Sequence, residues 1–298
     1  MRSVRALLIY LGMVFFGGAL LAPWLYFLTE SWMSHRSGIY HLPPFHRYVD
    51  RALLGLALMG LWPLLRYLQI KSWREAGFAR DVRWWKKVGL GFLIGFGSLA
   101  LVAALTVFSG ARQIHFASDA VKQLLGAILV AIVVAVLEEL LFRGGLFGAL
   151  RKTLKLPVAL LISSAVYALV HFLKKGDSPA QVDWLSGLEV LGQMFRNFAD
   201  LNYVIPAFFV LLMVGAILAL AYQRTGNLYM SIGLHAGWIF WLRAYLALTK
   251  ATIKGAQGFW GSDRLVDGWG AFFVLGAVLL VLWKWLPEKK NLTTDDTD

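Results

Sequence analysis

Blocks of predominantly apolar residues, each near the length needed to cross a bilayer, leave this chain few ways to fold. They fall at about residues 5–28, 49–70, 88–108, 122–146, 157–173, 204–221, 228–248 and 266–286. Within lipid, every backbone N–H and C=O has to be satisfied by a helix or a closed barrel, and blocks of about 20 residues suit helices. The expected fold is therefore all-α: a polytopic transmembrane helical bundle of about eight spans, with any active site within the bundle. Composition agrees. The 298 residues are 59% hydrophobic and 15% charged, where a soluble domain carries about 25% charged residues.

The first block is too long for a cleavable signal peptide, and no small-x-small site precedes a polar sequence. Cysteine is absent, which excludes disulfides, a thiol nucleophile and thiolate metal ligands. The net charge of +12 does not imply nucleic acid, because the basic residues lie in the connections between apolar blocks. Arg66, Lys71, Arg74, Arg80, Arg83, Lys86 and Lys87 crowd the second connection, which favours both termini in the cytoplasm and contact with anionic lipid headgroups. A cell (plasma) membrane location follows as the expectation.

Smaller signals fill in the outline. Trp24, Trp32, Trp62, Trp84, Trp85, Trp260, Trp269, Trp283 and Trp285 fall near block ends, as a headgroup belt requires. Gly91 and Gly95 make a small-xxx-small contact face. Residues 176–203 are too polar to cross, but their apolar positions recur at three- and four-residue steps, which predicts an amphipathic helix on the membrane surface. The tail after Leu286 is expected to be disordered.

One block breaks the apolar rule. Glu138, Glu139 and Arg143 stand within the run from Leu124 to Arg143. A charge at the centre of a membrane helix costs about 2.5–3.5 kcal/mol on insertion scales, so three of them need a compensating reason. Glu139 and Arg143 are four apart, the favoured order for a helical ion pair. Glu138, turned about 100° away, points elsewhere and needs a partner of its own.

Two other blocks carry a histidine: His171 closes the fifth and His235 lies in the seventh, whereas His35, His41, His46 and His115 fall in connections and are expected to be solvated. Glu138, His171 and His235 leave two routes open. They form a possible ligand set for a divalent metal such as zinc with an open water position. Equally, Glu138 and His171 can act as bases on water without a metal, with His235 supporting an oxyanion. No His-Glu-x-x-His and no Gly-x-Ser-x-Gly motif is present, so neither a zincin nor a serine hydrolase arrangement is indicated. Ser163 and Ser164 read as small packing residues.

Glu138-Glu139-x-x-x-Arg143, Tyr167-x-x-x-His171 and the stretch Arg224–His235 together resemble the three motifs of the CAAX-protease and bacteriocin-processing (abortive-infection) family of intramembrane proteases and related immunity proteins. The resemblance covers about residues 122–248, which it marks as the catalytic core. Residues 1–121 are then N-terminal helices without an assigned motif, and 249–298 a last helix with a polar tail. It implies that Glu138 activates water with help from His171, that Glu139 and Arg143 brace the site, and that His235 holds the oxyanion or a metal. Two positions depart from the pattern. Ile239 stands where the prenyl-protein endopeptidases carry Asn, and Tyr167 where Phe is usual. The expected activity is an endopeptidase acting on a membrane-associated protein or peptide, with membrane lipids and that substrate as partners and no nucleic acid. The alternatives are a non-catalytic bacteriocin-immunity or scaffold relative and, third, a proton-coupled transporter. Absence of a repeat and of paired broken helices speaks against the transporter.

Overall fold

The computed structural model describes residues 2–35, 42–173, 176–252, 259–262 and 264–287. The polar tail, His41 and the Lys174–Lys175 pair lie outside the described residues. In chain order the elements are α1 (Arg2–Ser34), α2 (His46–Tyr67), α3 (Trp84–Phe108), β1 (Arg112–Ile114), α4 (Ala120–Glu139), a π-helical segment (Leu140–Phe147), α5 (Gly148–Arg151), α6 (Leu156–Val170), α7 (Ser186–Met194), a 3-10 turn (Phe195–Ala199), α8 (Leu201–Thr225), α9 (Tyr229–Leu248), β2 (Thr249–Ala251) and α10 (Trp269–Trp285). The all-helical expectation holds apart from one short antiparallel pair, in which Arg112 sits opposite Ala251 and Ile114 opposite Thr249.

Among the described residues, five helices are long and apolar enough to cross a membrane: Arg5–Ser34, His46–Tyr67, Trp84–Phe108, Ala120–Arg151 and Leu201–Thr225. The chain is read as an integral membrane protein on this basis, but the count of eight is not reproduced. Helix α6 has 15 residues and α10 has 17, so they reach about 22 and 25 Å against a hydrocarbon core of about 30 Å. Helix α9 is long enough, but Ser231, His235 and Arg243 dilute its apolar character.

The chain divides into two compact units. The first, Met1–Gln69 with His171–Asp200, is built on α1, α2 and α7. Gly18 lets α1 meet the backbone of α2 at Leu53, and the Tyr10 hydroxyl donates to the Ala57 carbonyl at 2.8 Å. The expected amphipathic helix is present as the nine residues of α7. Its Val190, Leu191 and Met194 are buried, and a Cβ at Gly187 would lie 1.8 Å from the Ala19 carbonyl oxygen. Its apolar face is thus packed on α1 by backbone contact instead of lying free on a membrane surface. His46 is not simply solvated, since its Nδ1 is 2.9 Å from the Ser178 hydroxyl.

The second unit, Ile70–Val170 with Leu201–Asp298, holds the remaining elements. Its best-packed pair is α3 with α9. The Gly91–Gly95 face expected from sequence meets a second glycine pair, Gly233 and Gly237. A Cβ at Gly95 would lie 2.2 Å from the Leu234 carbonyl oxygen, and one at Gly233 would lie 2.1 Å from that of Val88. The two backbones touch because neither helix carries a side chain at the crossing. Helix α4 packs on the other side of α9, and α6 packs on α8, where Gly215 admits Ser164.

Candidate active site

The acidic pair falls where the helix changes pitch. Helix α4 ends at Glu139, and Leu140–Phe147 continues as a π-helix containing Gly144-Gly145. A Cβ at Gly144 would lie 2.4 Å from the Ala76 carbonyl oxygen, so this wide turn is pressed against the loop before α3. Single π-turns inside α-helices often mark functional sites. Nothing in the residue spacing announced this one.

The expected ion pair forms across the change of pitch. Arg143 Nη1 donates to Glu139 Oε1 at 2.9 Å, with the two side chains 2% and 0% exposed. Arg143 Nη2 points to the Gly215 carbonyl oxygen at 3.4 Å, and the guanidinium lies over the Tyr167 ring at 4.6 Å. The same Glu139 oxygen is also 2.8 Å from His235 Nδ1. Glu139 therefore serves two partners at once. Its other oxygen, Oε2, is buried without a hydrogen-bond partner among the described residues.

His235, 4% exposed on α9, turns its second nitrogen toward two oxygens. Nε2 is 3.4 Å from the Tyr167 hydroxyl and 3.7 Å from Glu138 Oε2. Glu138 does not point away from its neighbour's contacts: both carboxylates reach one imidazole, from its opposite nitrogens. Because Nδ1 faces a carboxylate oxygen at hydrogen-bond distance, Nδ1 carries the proton of the neutral ring and Nε2 carries the lone pair. Exposure separates the acids. The Glu138 side chain is 28% exposed and that of Glu139 is 0% exposed, so only Glu138 is open to an incoming molecule.

Four of the five expected residues, Glu138, Glu139, Arg143 and His235, thus come together in the second unit. His171 lies half-buried in the turn that follows α6 and belongs to the first unit. Tyr167 is the residue that reading for ionisable groups passed over. It entered only as the first letter of a motif, yet it touches His235 and stacks with both Arg143 and, edge-on at 5.1 Å, Phe142. Among the described residues no group of three His, Asp or Glu side chains is arranged to hold a metal ion. Both nitrogens of His235 face protein oxygens. A cavity of about 380 Å³ in the first unit, lined by Tyr26, Phe27, Glu30 and Phe45 among others, contains none of these residues.

Comparison with curated proteins and with solved structures returns no match. A family model described as type II CAAX prenyl endopeptidase Rce1-like matches residues 120–241. The matched segment carries Glu138, Glu139, Arg143, Tyr167, His171 and His235, and the match is consistent with the CAAX-protease and bacteriocin-processing family.

Proposed function

We propose that the chain is an intramembrane endopeptidase that hydrolyses a peptide bond of a membrane-associated protein or peptide, with Glu138 as the residue that activates water. The observation that supports this most is the division of labour between two adjacent glutamates on one imidazole. Glu139 is fully buried, neutralised by Arg143 and bonded to His235 Nδ1, whereas Glu138 is accessible and stands beside Nε2. A purely structural ion pair accounts for Glu139 and Arg143 but gives no reason for a second carboxylate 3.7 Å from Nε2.

In this reading a water lodged against Glu138 loses a proton to its carboxylate as the oxygen attacks the scissile carbonyl carbon. Glu138, with Nε2 of His235 as neighbouring acceptor, keeps that proton. The departing amine takes it as the C–N bond breaks. The resemblance gives His171 the part of a second base, and Glu139 with Arg143 fixes the tautomer and orientation of His235. The family description brings prenylated C-terminal peptides into view as substrates, but Ile239 adds no polar group to the site, so a broader membrane-peptide specificity is proposed. The positive charge between α2 and α3 supports cytoplasmic termini in a cell membrane.

The test is cleavage of a membrane-peptide library by purified protein in liposomes. Wild type is expected to cleave, and Glu138→Gln and His171→Ala to lose at least about 100-fold in rate, the range of general-base catalysis. Normal cleavage by both variants would overturn the reading. Binding of peptide without cleavage by wild type would favour the immunity or scaffold alternative.

A further inference from the structure

Resting on the hydrolytic reading above, we propose that the connection between α2 and α3 is a docking surface for an anionic lipid bilayer, and that docking raises the rate of hydrolysis by holding the π-helical segment and α9 in register. Lys71, Arg74, Arg80, Arg83 and Lys86 are all exposed there. None of the five forms an ion pair among the described residues, because the two local acids are engaged otherwise. Glu75 accepts from the Lys71 backbone N–H and the Ser72 hydroxyl, each at 3.1 Å. Asp81 takes the Lys87 ammonium at 2.6 Å and the Arg83 backbone N–H at 2.8 Å. A cluster of this size beside a membrane helix draws anionic headgroups, each cation being worth about fivefold in partition. Apolar side chains interleave with the charges: Val82 is 94% exposed, and Trp73, Trp84 and Trp85 are exposed as well. Tryptophans at the head of a membrane helix belong at headgroup depth. An acidic peptide would use the charges alone, whereas a bilayer surface also takes up Val82 and the rings, and α3 enters the membrane from this point.

The inner side of the same connection touches both halves of the candidate site. The Ala76 carbonyl lies against Gly144, the residue after Arg143, with no room for a Cβ between them. The Leu228 N–H donates to the Gly77 carbonyl at 2.9 Å, and the Tyr229 hydroxyl to that of Ala79 at 3.1 Å. Tyr229 opens α9, and His235 stands less than two turns further on. Gly77 makes this fit possible, since its φ is +102° and a Cβ there would lie 2.6 Å from Leu228 Cγ. Residues 76–79 thus bridge the segment that carries Arg143 and the helix that carries His235. Like charges crowded on one connection repel one another and loosen it, and an anionic surface removes that repulsion. The bridge then tightens, and with it the spacing between catalytic groups on which the rate depends. The lipid makes and breaks no covalent bond.

The experiment reconstitutes the full chain in liposomes of phosphatidylcholine, alone or mixed with phosphatidylglycerol, and measures kcat and KM on an uncharged peptide that wild type cleaves. Phosphatidylglycerol is expected to raise kcat about tenfold with KM little changed, and added salt to reverse the rise. Arg74→Gln with Arg80→Gln, and Arg83→Gln with Lys86→Gln, are each expected to lose most of the rise; using two separate pairs covers the case in which one fails to insert. Lys122→Gln with Lys250→Gln removes equal charge outside the connection and is expected to keep the rise. Independently of cleavage, wild type should immobilise more spin-labelled phosphatidylglycerol than either loop pair, and amide exchange of residues 72–81 should slow in the mixed liposomes. An unchanged kcat in mixed liposomes, where Glu138→Gln is dead, overturns the proposal and leaves the hydrolytic reading standing. So does a rise that the loop pairs share with wild type. A preference for acidic peptides that the loop pairs lose, with no effect of lipid, overturns it in favour of substrate binding. If wild type is inert on every peptide, the hydrolytic reading falls, and the spin label decides the docking by itself: equal immobilisation by wild type and the loop pairs overturns it.

Discussion

His235 Nδ1 lies 2.8 Å from the same Glu139 oxygen that receives Arg143 Nη1 at 2.9 Å. One carboxylate oxygen therefore ties α9 to α4 and to the π-helical turn, all inside a site with almost no solvent exposure. Replacing Glu139 with Gln keeps the shape but leaves the Arg143 charge buried without its counter-ion. Breaking one side of a buried pair costs about 3–5 kcal/mol, so Glu139→Gln is expected to unfold at markedly lower denaturant. Glu138→Gln, more open to its surroundings, should change stability by less than about 1 kcal/mol. Unfolding in detergent measures both.

The α3–α9 crossing gives a paired test on a single helix. Gly95→Ala puts a methyl group into the Leu234 backbone and should destabilise by about 1–3 kcal/mol, the usual cost of overpacking. Gly97, two residues on, has nothing within 4 Å of where its Cβ would lie. Gly97→Ala should therefore be neutral or stabilising by up to about 1 kcal/mol, the helix preference of Ala over Gly. Equal effects at the two positions would remove the close crossing from the account.

Ser164 is a buried hydroxyl without a hydrogen-bond partner among the described residues, facing a glycine. Its removal gives up no bond and relieves an unsatisfied polar atom, so Ser164→Ala should be neutral to slightly stabilising. Gly215→Ala should be destabilising, because the added methyl would lie 2.8 Å from Ser164 Cα. Thermal unfolding of the two variants separates these effects.

Outside the apolar helices, a side-chain hydrogen bond from Lys87 and the backbone N–H of Arg83 hold the Asp81 carboxyl below its ordinary value of 3.8. Its folded value is depressed, so its contribution to stability is present above the unfolded value and lost as pH falls through the folded one. Lys87→Met should move the Asp81 titration upward toward 3.8. Carboxyl NMR across the acid range reads this directly, and an unmoved titration would refute the pairing.

Parts of the site were legible because they are local. The four-residue step from Glu139 to Arg143 survives intact, and Gly91 with Gly95 reads as a contact face before any partner is known. The meeting of Glu138 with His235 is not local. It depends on α9 being held close between α3 and α4, through Gly233 and Gly237, whose significance appears only once the opposing backbone is in place. Tyr167 was passed over because an uncharged aromatic in an apolar run carries no anomaly. The span count of eight is not reproduced because apolar blocks include residues that finish turns: the fifth block yields only the 15 residues of α6.

The π-helical segment has a further consequence. A π-turn holds one residue more than an α-turn, so Glu138 and Glu139 are set in angular phase with everything after Phe147 by a count of residues, whatever their identities. Deleting Leu141 would let the segment relax to an α-helix and would change the angular phase of one side relative to the other. Substituting Leu141 by Met would leave that phase alone. A deletion that abolishes cooperative unfolding beside a substitution that does not would show that the site is kept in frame by an insertion, much as a reading frame is kept by its length.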